Sequence, residues 1–204
     1  MINIQLLEEF KERAYLNAVR LFRDSALLFS NGRYPSALAI ATASYEEIGK
    51  VHLIDRACDM MSLNPDGANE LFEMYFKSPW TTNHLHKQVR AFADANNKLV
   101  ATDDSLRSYI QSGGMENSRQ QSLYVEMAKK KILTPSRITI EKSFEMIKLC
   151  FDAFQGTADL AFNGFTAAPT DKSEWLAKRA LQEILESFEI CLSHHENQAL
   201  WESP

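Results

Sequence analysis

A histidine and a lysine three residues apart combine two groups that proton-transfer chemistry requires. His84 and Lys87 lie on one face of a predicted helix, because residues three apart in a helix are neighbours. An imidazole exchanges a proton near neutral pH, and an ammonium group beside it can stabilise a developing oxyanion. A metal-independent ribonuclease needs both abilities, since a base takes the 2′-hydroxyl proton and cations stabilise the phosphate transition state. An exposed pair without function has the same spacing, so both interpretations stand.

Two glutamates and a lysine interrupt a helix that is otherwise small and apolar. Glu46 lies four residues before Lys50, and Glu47 lies three before it, so all three can meet on one helix face. Charges in a largely buried helix need mutual pairing. We expect a pairing that either orients other groups or belongs to a catalytic site.

A basic stretch follows in the second half of the chain. Arg119, Tyr124 and Glu126 precede three lysines at 129–131, and Arg137 lies beyond them. The stretch could hold phosphate, although a lysine-rich helix end stabilised by the helix dipole explains it as well. With 27 acidic and 22 basic side chains the formal charge is −5, so any contact with RNA must use such a local patch.

Neither a metal nor a cofactor is predicted. A di-iron bundle needs Glu-x-x-His on facing helices. The residues three before the five histidines are Gly49, Thr81, Asn83, Cys191 and Leu192, and none of them is acidic. His194 and His195 are expected on a solvated tail. Cys58, Cys150 and Cys191 lie in apolar stretches and are interpreted as buried thiols of a reducing compartment.

Apolar residues recur at helical spacing along most of the chain. They predict an all-α, up-and-down helical bundle in a single domain, residues 1–204, with long helices at about 4–30, 36–61, 82–100, 135–165 and 172–198. We expect accessory helices at 68–77, 103–111 and 119–131 and a flexible segment at 111–118. Thr134 is the expected N-cap of the long helix at 135–165. The start Met1-Ile2-Asn3 has no basic region, and no apolar run approaches roughly 20 residues, so a cytoplasmic protein is expected.

Three motifs in order resemble one family, the AbiV-type HEPN proteins. Residues 32–39 lead into Ala43-Ser44-Tyr45-Glu46-Glu47-Ile48-Gly49-Lys50, like the family's glycine-initiated, alanine-rich helix that ends in Glu-Glu-x-Gly-Lys. His84-Leu85-His86-Lys87 is similar to its His-x-x-Lys, and Arg119 through Leu123-Tyr124-Val125-Glu126, with Pro135 after it, is similar to its third segment. The similarity covers most of residues 5–165.

The resemblance implies a HEPN-like bundle, usually a homodimer, that serves in abortive infection, in which an infected bacterium stops its own growth, often by blocking translation. Many HEPN relatives are metal-independent ribonucleases whose signature is an arginine followed, after four to six residues, by a histidine. Neither Arg33 nor Arg56 has a histidine at that distance. A nuclease of this sequence therefore needs a variant site.

The variant site implied by the resemblance has His84 as general acid or base, with Lys87 and Arg119 as cations for the phosphate. Glu46, Glu47, Lys50 and Tyr124 would bind or support them. The expected partners are a second copy of the chain, RNA or the translation machinery, and a phage-encoded activator protein. The alternative is a non-catalytic binding module or dimer that acts through a phage or ribosomal protein, and the negative net charge slightly favours it.

Overall fold

Two long antiparallel helices open the chain and are joined by a tight turn. Helix α1 spans Ile4–Ser30 and α2 spans Tyr34–Leu63. Gly32 has φ +71°, a left-handed conformation that glycine adopts without strain, and its amide donates to the Phe29 carbonyl oxygen at 2.9 Å. The two predicted helices are therefore present, and the second begins two residues earlier than expected.

The computed structural model describes residues 4–63, 70, 77, 83–92, 104–123, 126–128, 131–162 and 171–201. The elements after α2 are α3 (His84–Arg90), α4 (Asp104–Gln111), α5 (Gly114–Leu123), β1 (Glu126–Ala128), β2 (Lys131–Leu133), a 3₁₀ turn (Pro135–Arg137), α6 (Ile140–Phe162) and α7 (Asp171–Trp201). The strands β1 and β2 form a short antiparallel pair. The all-α class is confirmed.

The core lies where α1, α2, α6 and α7 pack against one another, and aromatic rings fill its centre. Tyr15 meets Phe154 and Phe162 edge to face, with ring centroids 5.6 and 5.2 Å apart. On the α7 side Phe151 stacks on Phe188 at 4.1 Å. Aromatic pairs in these geometries add to the free energy gained from apolar burial and so stabilise the packing of the four long helices. The shorter helices α3 and α5 pack on α2.

The start of α6 differs from the prediction. Thr134 makes no side-chain capping bond, and its hydroxyl lies 2.7 Å from the Ser136 hydroxyl instead. The helix begins at Ile140, where the Thr139 hydroxyl accepts from the Lys142 amide at 3.3 Å. The prediction that Thr134 caps this helix was wrong, because a local 3₁₀ turn takes up that threonine and the proline after it.

The segment predicted as flexible, 111–118, contains a defined turn and a helix start. Gly113 has φ +80°, and α5 begins at the next residue. The helix predicted over 119–131 ends at Leu123, and β1 and β2 follow it. The prediction of a helix over 119–131 is therefore confirmed for residues 119–123 and was wrong for residues 126–128 and 131, which pair as strands.

Several predictions fall on residues outside the described parts. Of the helix predicted at 82–100 the structure describes Asn83 to Phe92, with the Asn83 side chain accepting from the Leu85 amide at 2.9 Å as the N-cap. The helix predicted at 68–77 lies almost entirely outside the described residues, as do Tyr124, Lys129 and Lys130.

The two adjacent histidines near the C-terminus belong to the packed surface of α7 and not to a solvated tail. The Nε2 atom of His194 lies 3.2 Å from the Tyr34 hydroxyl. The ring of His195 stacks on Phe144 with centroids 4.2 Å apart. The tail prediction was wrong, because α7 continues to Trp201 and carries both rings against the bundle.

The three cysteines are free thiols, and all of them are buried, as predicted. Burial raises the pKa of both Cys150 and Cys191 to about 12, so neither is a reactive thiolate near neutral pH. In the described part of the chain, none of the helices combines the length and the apolar character that a membrane span requires.

Candidate active site

Five polar side chains from three helices form one group, and the buried carboxylate of Glu46 lies at its centre. We name this group the Glu46 cluster; its members are Glu46 of α2, His84 and Gln88 of α3, and Glu116 and Arg119 of α5. Each element supplies residues of a different sequence motif. The cluster therefore depends on how α3 and α5 pack on α2.

The Glu46 carboxylate holds the imidazole of His84 by a short hydrogen bond. The Nδ1 atom of His84 lies 2.6 Å from Glu46 Oε2, and Gln88 Nε2 donates to Glu46 Oε1 at 2.9 Å. The Glu46 side chain is 8% exposed and the His84 side chain is 52% exposed. Because a carboxylate only accepts, the neutral imidazole carries its proton on Nδ1 and leaves the Nε2 lone pair available.

A glycine of the Glu-Glu-x-Gly-Lys motif makes this contact possible. A Cβ atom at Gly49 would overlap the backbone carbonyl of Lys87. Helix α3 therefore crosses α2 at a distance that only glycine permits. Gly49 lies three residues after Glu46, so the close approach brings His84 and Gln88 directly onto the carboxylate.

Arg119 connects the second carboxylate to the first. Its Nε and Nη2 atoms donate to the two oxygens of Glu116 at 2.8 and 2.6 Å, and Nε lies 4.0 Å from Glu46 Oε1. Gln120 Nε2 adds a third bond to Glu116 at 2.7 Å. The bond from Arg119 is the main reason why the pKa of Glu116 is lowered. Arg119 is thus a fixed cation between two carboxylates, next to the exposed imidazole.

The remaining charged residues of the first two motifs lie beside the Glu46 cluster. Lys50 forms an ion pair with Glu47, as the spacing predicted, and Glu46 turns to α3. Burial lowers the pKa of Lys87, and Lys50 lowers it further, while Glu46 and Glu47 act in the opposite direction. These four side chains therefore influence one another electrostatically.

The structure brings His84, Glu46 and Arg119 into one site and places Lys87, Lys50 and Glu47 beside it, while Tyr124 lies outside the described residues. Sequence reasoning missed Gln88 and Glu116. Gln88 follows His84 by one helical turn, and Glu116 precedes Arg119 by three residues. Both spacings were visible in the sequence as helical neighbours of residues already singled out.

The arrangement can perform acid–base chemistry. A buried carboxylate orients a half-exposed imidazole, and Arg119, held by Glu116, lies close by. Ligand atoms of Glu46, His84 and Glu116 also lie within 4.8 Å of one another, a spacing from which a metal ion could be held.

A cleft of about 840 Å³ lies between α2, α4, α5 and α6. Its apolar lining residues are Leu38, Met115, Met146 and Leu149, and its charged ones are Glu141, Lys142, Glu145, Lys148 and Asp152. Thr42, one turn before Glu46, and Ser118, next to Arg119, also line it. Three carboxylates against two ammonium groups give its lip a slightly acidic character, and burial raises the pKa of Asp152.

Comparison with known proteins identifies the family. The search of curated proteins and the search of solved structures each returned no match. The family model described as AbiV, of the HEPN class, matches residues 6–152, which is more than half of the chain and includes the whole Glu46 cluster. The chain therefore belongs to the AbiV family of HEPN proteins, which points to a role in abortive infection, a defence of bacteria against phage.

Proposed function

We propose that this protein arrests growth or translation in infected bacteria as a metal-independent endoribonuclease whose general base is His84. The observation that carries the proposal is the 2.6 Å bond between His84 Nδ1 and Glu46, which joins a buried carboxylate to a half-exposed imidazole. A general base must reach its substrate and be held in one tautomer at the same time. Glu46 holds His84 in one tautomer in this way.

The reaction would use the Nε2 lone pair of His84. Nε2 takes the proton of a ribose 2′-hydroxyl, and the 2′ oxygen attacks the adjacent phosphorus. The bond from phosphorus to the 5′ oxygen breaks, leaving a 2′,3′-cyclic phosphate, and the departing 5′ oxygen takes a proton from water. Glu46 stabilises the imidazolium through Nδ1, as a carboxylate does in other imidazole bases.

Cations beside His84 would stabilise the charge on the phosphate. Two hydrogen bonds from Arg119 to Glu116 position its guanidinium before substrate arrives. Lys87 lies close enough to Glu46, Glu47 and Lys50 for their charges to shift its pKa. Arg119 and Lys87 form the local basic patch that a chain of charge −5 needs in order to bind RNA. We also propose that the chain acts as a homodimer, as the family resemblance implies, and light-scattering mass measurement tests this.

The test is RNA cleavage in the presence of EDTA. Wild-type protein, His84→Ala and, as a matched control on the same helix, His86→Ala are checked for folding by circular dichroism and incubated with tRNA and ribosomes. General acid–base catalysis contributes on the order of 100- to 10,000-fold. We expect wild type and His86→Ala to cleave and His84→Ala to be slower by about 100-fold or more. Equal cleavage by His84→Ala would contradict the proposal.

The cleft between α2 and α6 favours a second candidate function, a non-catalytic module that binds a phage or ribosomal protein. Its apolar floor and slightly acidic lip suit a basic peptide better than RNA. In that case His84→Ala would still arrest growth, no RNA would be cut, and the charge reversals Glu141→Lys and Glu145→Lys would abolish the arrest.

A further inference from the structure

Three metal-binding groups converge at one point of the Glu46 cluster, each from a different helix. The ligand atoms of Glu46, His84 and Glu116 all lie within 4.8 Å of one another. Metal–ligand bonds of about 2.0–2.2 Å place the ligands of a tetrahedral ion about 3.4 Å apart. Movements of roughly 1 Å, within the reach of side-chain rotation, would therefore complete a coordination site.

The Gln88 carboxamide, which contacts Glu46, contains a buried oxygen without a hydrogen bond to any described residue. Gln88 is fully buried, and within the described part of the chain its Oε1 atom has no hydrogen-bond partner. Its Nε2 atom contacts Glu46, so the carboxamide lies directly against the cluster. Turning the amide over would present Oε1 to a cation held between the carboxylates, which would satisfy an oxygen that is otherwise left unpaired at a cost.

We propose that the Glu46 cluster binds a divalent transition-metal ion, with Zn²⁺ as the best fit, through His84 Nδ1 and one carboxylate oxygen each from Glu46 and Glu116. One imidazole nitrogen with two or three oxygens suits zinc better than magnesium or calcium, which prefer all-oxygen sites. The half-exposed face of His84 gives the ion a path from solvent and leaves room for a water ligand.

Arg119 competes with the ion for Glu116. Both Glu116 oxygens accept hydrogen bonds from its guanidinium, so an ion must replace at least one of these bonds. The ion would also have to separate His84 Nδ1 from Glu46 Oε2, which are 2.6 Å apart. Binding is therefore expected to be reversible, and removing the guanidinium should strengthen it. Loss of a nearby positive charge tightening the binding of a cation is a specific signature of this site.

The bound ion would switch the proposed ribonuclease off, a consequence that rests on the proposed function. Nδ1 would give its lone pair to the metal, so the remaining proton of the neutral ring would sit on Nε2. That nitrogen could no longer accept the 2′-hydroxyl proton. Zinc would inhibit RNA cleavage, and EDTA would restore it.

Zinc binding to the purified full chain, measured by titration calorimetry and by metal analysis after dialysis, tests the site without any RNA. We compare wild type with His84→Ala, Glu116→Gln and Arg119→Met. The control is the double variant His194→Ala/His195→Ala, which removes two adjacent histidines that lie outside the proposed site. Visible absorption of Co²⁺ in place of Zn²⁺ reports the ligand set independently of affinity.

We expect one ion per chain in wild type and in the double-histidine control, at least tenfold weaker binding in His84→Ala and Glu116→Gln, and tighter binding in Arg119→Met. Absence of stoichiometric binding to folded wild type overturns the proposal, as does binding that disappears in the double-histidine control instead. Zinc binding without any RNA cleavage would leave this site standing and would remove the proposed function.

Discussion

His52 belongs to α2 and His84 bonds to a residue of α2, but the first is buried and the second is half exposed. His52 lies within α2, is 3% exposed, and has Nε2 3.0 Å from the Thr157 hydroxyl. That hydroxyl donates its own proton to the Ala153 carbonyl oxygen at 2.7 Å, so His52 must donate from Nε2. His84 donates from Nδ1 to a carboxylate, and its side chain is 52% exposed.

The difference shows how surroundings, and not residue type, separate a structural imidazole from a chemical one. The Nε2 atom of His52 is buried and already carries a proton, which it donates to the Thr157 hydroxyl, so it cannot take a proton from a substrate. His84 has a carboxylate partner and a half-exposed ring. The first contributes to folding, and the second is suited to proton transfer.

Replacing each of these two histidines by glutamine gives the largest expected contrast. His84→Gln should slow RNA cleavage by about 100-fold or more. It should lower the free energy of unfolding by less than His52→Gln does, because the His84 side chain is half exposed and glutamine can still donate to Glu46. His52→Gln should lower the free energy of unfolding by roughly 1–3 kcal/mol, as disruption of a buried hydrogen-bonded group does, with normal cleavage by the folded fraction. Urea unfolding and initial cleavage rates measure both. Similar effects of the two variants on both quantities would refute the contrast.

Gly49→Ala should displace α3 and so disturb the contact between His84 and Glu46. The new Cβ would overlap the Lys87 carbonyl, and overpacking of this kind costs roughly 1–3 kcal/mol. Because His84 lies on the displaced helix, we expect cleavage to fall by about tenfold or more in protein that is still folded.

Gly32→Ala is the matched control for that variant. Gly32 has φ +71° and open space where a Cβ would point, so alanine there strains the backbone and meets no neighbour. It should cost about 1 kcal/mol of stability without slowing cleavage. If both glycine variants lost stability and activity in the same proportion, close approach of α3 would not be the reason for Gly49.

Gln88→Met should produce a smaller loss at the same site. It keeps the volume of the buried side chain but removes the donor to Glu46, and hydrogen bonds to charged groups are worth about 1.5–3 kcal/mol. With Glu46 held less firmly, we expect cleavage to fall roughly tenfold. Gln120→Met is the control, since Gln120 donates to Glu116 and leaves Glu46 untouched. Equal losses in the two variants would show that Glu46 has no special position among the carboxylates.

Local features of this site were predictable from the sequence. The pairing of Lys50 with Glu47 follows from a spacing of three residues on one helix, and the buried thiols follow from their apolar surroundings. The all-α bundle follows from helical periodicity, which is clear in α1, α6 and α7, whereas α2 is buried on most of its sides.

Partners distant in the sequence were beyond what spacing shows. Glu46 pairs with residues 38 and 42 positions further on, because Gly49 lets α3 cross α2 at close range. The same spacing rule that placed Glu46 beside Lys50 gave no information on which of the two glutamates would turn to α3. The prediction of where α6 starts was wrong for a related reason. The Thr134 hydroxyl is bonded within a 3₁₀ turn, and Thr139 caps the helix instead.

Thr157→Val tests the structural member of the pair and has the smallest expected effect. Valine has nearly the shape of threonine but cannot accept the proton of His52 Nε2, so a buried donor loses this partner. We expect the free energy of unfolding to fall by about 1 kcal/mol, the usual net value of a hydrogen bond, without any change in cleavage by folded protein. Thr157→Ser keeps the hydroxyl and should retain the part of the stability that comes from this bond. If Thr157→Val slowed cleavage as strongly as Gln88→Met, the buried imidazole would be coupled to the site, and the separation between His52 and His84 would not hold.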